Sequence, residues 1–525
     1  MKTGAFGPPG LIILAIYLVA VVLISLMSRR RWPSSNDYLN ASRSLPLWVA
    51  ALSFLAFNCG SIEVIGMSAM AAQYGVQALH FYWIGGIPGM VFMGIVVLPN
   101  YMRTGARSLP EYLALRFGSR IRLLNALLAM AGTLSYAGVA LYTLGQVLHV
   151  LLGWSFLAGG LICAVMVLSY VLIGGVRASI FTSIFQLVVM IAGLAPLLFK
   201  TVHLNVAEWA GRSERWHLWK PLPFLSPRAP LDQVAVVIGL GFVISFSYWC
   251  TDFVMIQRAL TARSVEAARR VPLLAGFGKL AIAFLVVLPG AAAPALLGRG
   301  TSFDQTMPAL MALEYGPALL ALGAVGLLAG LMAWLAGNVS GFSALWVEEI
   351  YRTRLCPRRS ESHYIRMGRL AVPFCLIIAQ LVAYTTFWFH DLMELLQLIV
   401  ALFYAPVFAA VLAGVSSMRT SERGAFTGIC AGVVSGLALQ TASWMHVLCF
   451  GSQMAANFYT AILSFSAAMA GCVLWREKQS WIVWKQGQAI PSDADWRNTI
   501  RPMTGLIALS ATLLALCLLL NMLWW

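Results

Sequence analysis

Apolar runs long enough to cross a bilayer recur fourteen times along this chain, at about 8–27, 48–73, 78–99, 121–151, 154–174, 178–199, 233–257, 271–297, 306–347, 364–389, 391–415, 424–445, 451–475 and 501–525. A helix needs roughly 20 apolar residues to span roughly 30 Å of hydrocarbon, and each run supplies them. The composition agrees: of 525 residues 60% are hydrophobic and 10% charged, with a mean hydropathy of +0.82. Soluble domains lie far from these values. The expectation is an all-α polytopic membrane protein with 14 transmembrane helices.

The number of spans can be checked against charge, because cytoplasmic loops collect Lys and Arg. With the N-terminus outside and the loops alternating, 27 of the 35 basic residues fall on the inner side and seven on the outer side, and only Lys279 lies within a span. One missed helix would invert every later loop. The pattern therefore predicts an inner-membrane protein with both termini on the outer, periplasmic side. It also accounts for the net charge of +16 without any nucleic acid, the bilayer and its anionic inner leaflet being the partner implied. Arg29-Arg30-Arg31 directly after the first run reads as a stop-transfer flank of a retained anchor.

No soluble domain interrupts the spans. The longest loops, near 200–232 and 476–500, carry neither a nucleotide-binding loop nor a catalytic motif, which argues against an ATP-driven pump or a sensor with an output domain. An intramembrane enzyme is equally disfavoured, since HExxH and GxSxG motifs are absent. The nine cysteines are scattered singly and read as small core residues rather than a disulfide framework or metal knuckle.

Polar residues inside the spans are few and they cluster. FNCGSIEVIG, residues 57–66, places Asn58, Ser61 and Glu63 in the second span; Ser245, Ser247, Tyr248 and Asp252 fall in the seventh, Lys279 in the eighth and Gln397 in the eleventh. The second and seventh spans open two five-helix sets, 48–199 and 233–415, and because five is odd the sets run inverted to one another. Polar, interrupted helices at matching places in two halves point to a binding site at the membrane midplane. The predicted organisation is an N-terminal helix and loop (1–47), a first repeat (48–199), an outer loop (200–232), a second repeat (233–415) and three C-terminal helices (416–525).

Bland readings exist for some of these residues. Ser245 and Ser247 can back-bond within their own helix, and Asp252 beside Arg258 reads as an interfacial ion pair. Lys279 lies too deep to reach the interface without strain, and Glu63 is the same case with opposite sign.

Several motifs resemble the sodium:solute symporter family in its sodium/glucose cotransporter branch: SRSLPLWVAALSFLAFNCGSIEVIGMSA, RSLPEYLALRFGSRIRLL, IGGVRASIFTSIFQ, YWCTDFVMIQRALTARS, GFGKLAIAFLVVLPG, VEEIYR and QLIVALFYAPVFAAVLAGVSSMRTSERGAF. The resemblance runs from about residue 35 to 430. It implies a LeuT-type 5+5 inverted-repeat core with one helix before it and three after. It also implies a sugar-like solute held by Asn58, Glu63, Tyr82, Ser245, Tyr248, Lys279 and Gln397, with Tyr248 as inner gate. A hexose hydroxyl both donates and accepts, so amides and ionic groups around an aromatic face suit it. Two positions depart from the family: Tyr82 stands where a glutamate is usual, and Glu63 where His or Gln is usual.

The same resemblance places the sodium site on the carbonyls of Ala56, Cys59 and Gly330 and on two adjacent hydroxyl positions, which here are Ala333 and Trp334. Neither carries a hydroxyl, and a hard cation needs several oxygen ligands. Ser183 likewise replaces the family's acid. The expectation is a degenerate sodium site and no bound cofactor. Three readings of Glu63 stay open: a proton carrier replacing sodium, a plain solute ligand paired with Lys279 in an uncoupled facilitator, or part of a relocated sodium site with Ser340 the nearest downstream hydroxyl. A transport-dead solute sensor is the rival of a different class.

Overall fold

A computed structural model describes residues 8–28, 44–209, 214–219, 222–298, 302–389, 391–416, 419–476 and 504–524. The Arg29-Arg30-Arg31 flank and most of the 476–500 loop lie outside the described residues. Eleven helices among the described residues are long and apolar enough to cross a membrane, and thirteen if each of two bent pairs counts as one span.

The chain runs through α1 (Pro8–Ser28), the bent pair α2 (Leu47–Asn58) and α3 (Ser61–Tyr74), α4 (Phe81–Met102), the short α5 (Leu109–Phe117), α6 (Ser119–Leu152) and α7 (Phe156–Trp209). A second bent pair follows, α8 (Ala235–Thr251) and α9 (Phe253–Leu260), then α10 (Val265–Leu297), α11 (Thr306–Glu314), α12 (Pro317–Leu355), α13 (Glu361–Trp388) and α14 (Leu392–Ser416). The last three are α15 (Glu422–Trp444), α16 (Gln453–Leu474) and α17 (Thr504–Leu523). Large apolar side chains such as Ile16, Val165, Leu370, Val434 and Met522 remain exposed on outward faces, where lipid tails would solvate them.

Local chemistry sets the breaks. α7 is continuous in hydrogen bonding but turns at Gly175, whose φ of 60° and ψ of −158° leave the helical region, so the expected fifth and sixth runs lie on either side of it. The apolar run 306–347 is divided instead, ending at Glu314 and restarting at Pro317, a residue preorganised for a first helical turn. Between the third and fourth runs the sequence reading has only a loop. The structure forms α5 there, capped by the Ser108 hydroxyl on the Glu111 N–H at 3.1 Å with Pro110 in the first turn.

Both interrupted spans are bent, α2 to α3 by 50° and α8 to α9 by 54°. At the first bend Gly60 takes an extended conformation and its carbonyl restarts the helix, accepting from Glu63 N–H at 2.9 Å. A side chain at residue 60 would bring its Cβ within 2.9 Å of the Gly330 carbonyl and 3.3 Å of the Trp334 Cβ, so α12 closes on the break at glycine distance. At the second bend Asp252 is extended, and its carboxylate caps α9 by accepting from Met255 N–H at 2.8 Å. Segments widened to i→i+5 bonding, Phe81–Gly86, Ala235–Ile244 and Val400–Tyr404, converge on the same central region. Such widened turns are frequent at functional sites.

Candidate functional site

The first bend lines a partly open pocket between the helices. All seven residues named as solute ligands line it: Asn58 and Glu63 from the α2–α3 break, Tyr82 from α4, Ser245 and Tyr248 from α8, Lys279 from α10 and Gln397 from α14. Two interrupted helices thus meet across one pocket.

Lys279 organises its charged wall. The ammonium lies 2.8 and 2.9 Å from the two Glu63 oxygens, donates to the Asn58 amide oxygen, and sits 4.9 Å from the Tyr82 ring centre and 5.4 Å from that of Trp249. The two charges are thereby compensated where lipid and protein offer little solvation. Tyr82 fills the place of a carboxylate with an aromatic face turned to a cation. The Asn58 amide donates in turn to the Tyr248 hydroxyl at 3.2 Å, which links the ion pair to the expected gate.

The remaining ligands differ in what they offer. The Ser245 hydroxyl donates to the Leu240 carbonyl at 2.8 Å, the back-bond considered above, and Ser247 does the same to Val243. Ser245 therefore retains only accepting capacity toward a solute. Gln397 is only 7% exposed and its side-chain oxygen has no partner among the described residues. A buried amide oxygen left without a donor is costly, so a bound group that donates a hydrogen bond fits there.

The walls not foreseen from sequence are apolar or aromatic. Met67, Phe81, Tyr136, Trp249, Trp334 and Met393 complete the lining. Apart from Trp334, named above as a sodium-site position, nothing marks them in the sequence, because an aromatic or Met on an apolar span reads as core. Gly60's close approach to α12 brings Gly330 and Trp334 against the break carrying Ala56 and Cys59, and Ala333 is buried beside them. The Trp334 ring stacks on Phe57 at 4.9 Å and 4°.

One reading is corrected. Asp252 and Arg258 are not an interfacial ion pair: both are buried, at 0% and 3% exposure, and they point to different partners. Asp252 caps α9 and accepts from the Tyr404 hydroxyl at 3.2 Å. Arg258 reaches serines on two other helices. The helix-terminal position of Asp252 suggested an exposed end, but packing by α14 covers it.

The arrangement suits reversible capture of one small polar solute with an apolar face. A sodium/glucose cotransporter of Vibrio parahaemolyticus is 27% identical over 411 residues, covering 71% of this chain and 74% of that one. Sodium/glucose cotransporter 2 of Rattus norvegicus is 26% identical over 420 residues, 71% of this chain and 62% of that one. The human sodium/iodide cotransporter is 27% identical over 347 residues, 61% of this chain and 52% of its own. The chain thus spans about three fifths of the rat relative and about half of the human one. Among solved structures, a substrate-bound, outward-open Na+-coupled sialic acid symporter superposes with a TM-score of 0.74 at 16% identity, covering 89% of this chain and 98% of its own, and shares the fold. The model of the sodium:solute symporter family matches residues 38–432, and the chain belongs to that family.

Proposed function

We propose that this protein is a secondary carrier that moves a sugar or similar small polyhydroxylated solute across the membrane by alternating access, without the family's standard sodium site. The observation that carries the reading is the convergence of Asn58, Glu63, Tyr82, Ser245, Tyr248, Lys279 and Gln397 on one cavity between two interrupted helices. Tyr248 would gate, bonded to Asn58 while the site is closed; Gln397 supplies an unmet acceptor and Lys279 with Asn58 the charged and amide wall. The fourteen-span layout with an inverted 5+5 core and both ends outside belongs to the same proposal.

Glu63 held by Lys279 at 2.8 Å favours its role as a ligand organiser over that of a proton carrier, because proton uptake would require the pair to separate in every cycle. Ala333 and Trp334, lacking hydroxyls beside the break, support the absence of standard sodium coupling. The test is uptake of labelled galactose and glucose into proteoliposomes under an imposed sodium gradient, a proton gradient, or neither. Equilibration without accumulation is the expected result. Proton-driven accumulation would return Glu63 to a coupling role, and accumulation driven only by sodium would overturn the degenerate-site reading.

A further inference from the structure

Arg258 sits where the inner halves of both broken helices meet α7. It belongs to α9, and its guanidinium donates to the Ser53 carbonyl on α2 at 3.2 Å, to the Ser53 hydroxyl, and to the hydroxyls of Ser183 at 3.1 Å and Ser179 at 3.5 Å on α7. Its charge lies 4.9 Å from the Phe57 ring centre, on the helix that ends at the break. Phe57 in turn stacks on Trp334, giving a continuous guanidinium–phenyl–indole stack between α2 and α12. A Cβ at Gly337 would lie 3.3 Å from the Arg258 guanidinium and clash with Phe57, so α12 leaves room for this stack. Among the described residues, no carboxylate lies within ion-pair distance of Arg258.

Four oxygens, one carbonyl and three hydroxyls, therefore converge on a buried cation that has no carboxylate in direct contact among the described residues and feels the Asp252 carboxylate only at longer range. A small monovalent metal ion would seek the same donor set, since hard cations prefer carbonyl and hydroxyl oxygens in number. We propose that Arg258 is the resident cation of this carrier: tethered to α9, it occupies a cation-binding cluster of Ser53, Ser179 and Ser183, holds both broken helices to α7, and excludes sodium electrostatically. The proposal rests on the reading that the standard sodium site is lost, and adds what stands in for the ion. Once solvation by water is removed, a second positive charge a few ångströms away is strongly disfavoured. The serine at 183 is the key to the exclusion, because an acid there would neutralise the guanidinium.

The test needs no knowledge of the solute. Purified full-length protein is assayed for saturable ²²Na⁺ binding, and for thermal unfolding in NaCl, KCl and choline chloride of equal ionic strength. Wild type is expected to bind no ²²Na⁺ saturably and to melt at the same temperature in NaCl and KCl. Arg258→Ala should melt lower, acquire saturable ²²Na⁺ binding, and be restored by roughly 2–4 °C in NaCl relative to KCl. Arg258→Lys, which keeps the charge, should gain no sodium binding. Where Arg258→Ala fails to fold, Arg258→Gln serves: it removes the charge while keeping a hydrogen-bonding amide toward the serines, and sodium binding should appear. Saturable ²²Na⁺ binding by wild type would overturn both this proposal and the degenerate-site reading. A silent wild type with folded but equally silent Arg258→Ala and Arg258→Gln would overturn this proposal alone.

Discussion

At the residue scale the site is governed by one compensated charge pair. Lys279 and Glu63 are 7% and 12% exposed at the side chain and contact each other through both carboxylate oxygens. Removing one partner of a buried pair leaves the other uncompensated, at a cost of about 3–5 kcal/mol, whereas replacing both by uncharged groups of similar size is often neutral. Glu63→Gln and Lys279→Met should each lower the unfolding temperature or yield sharply, while the double variant should recover stability close to wild type and remain inactive in solute uptake. Additive losses in that double-mutant cycle would show that the two side chains do not couple. Gln397→Ala is predicted to behave in the opposite way. Its oxygen has no partner among the described residues, so stability should hold, while solute affinity measured by competition falls roughly tenfold through loss of one hydrogen bond. An unchanged affinity would remove Gln397 from the site.

At the element scale the two bends create the cavity, and each rests on a different device. The second is a side-chain cap, Asp252 on Met255 N–H, reinforced by Tyr404. The first is a close approach, Gly60 to the Gly330 carbonyl. Gly60→Ala should force α12 away from the break by a few tenths of an ångström, because the facing atom is backbone and cannot rotate aside. The expected outcome is a loss of about 1–3 kcal/mol of stability together with reduced uptake, read from unfolding temperature and initial rate. Stability and uptake both at wild-type level would show that the approach is slack. The bends were legible in sequence because glycine, an amide and a carboxylate interrupt an apolar run at 57–66, and because hydroxyls and Asp252 interrupt the seventh. Their packing was not. Asp252 and Arg258 lie six positions apart near one end of a span and look like partners in sequence, yet the cap on α9 holds the acid while Ser53 and Ser183 draw the arginine elsewhere. Likewise Trp249 and Tyr136 are aromatic residues on apolar spans, a type that reads as ordinary core and does not by itself mark a cavity wall.

At the scale of the whole molecule, one group outside the spans ties α11 to α14 and makes the stability of that junction depend on pH. Asp304, in the turn before α11, accepts from the Leu392 N–H at 3.2 Å and so fixes the start of α14, the helix that carries Gln397. Removal from water pushes its carboxyl up to about 7; the Leu392 N–H opposes that rise and Asp391, which caps the same helix end, adds to it. A carboxyl whose value is higher in the folded than in the unfolded chain binds more protons when folded. Its contribution to stability is therefore complete below the ordinary carboxylate range and is lost as pH rises through about 7. Wild-type protein in detergent should thus melt at progressively lower temperature from pH 5 to pH 8, after the slope shared by other groups is removed by comparison with a variant. Asp304→Asn cannot titrate and keeps an oxygen toward Leu392, so its melting temperature should fall less over that interval and exceed wild type at pH 8. Parallel curves for the two proteins would show that Asp304 does not carry the pH dependence. A flatter curve for the variant would place the titrating group at the anchor of α14, where the same proton would also bias the helix that presents Gln397 to the cavity.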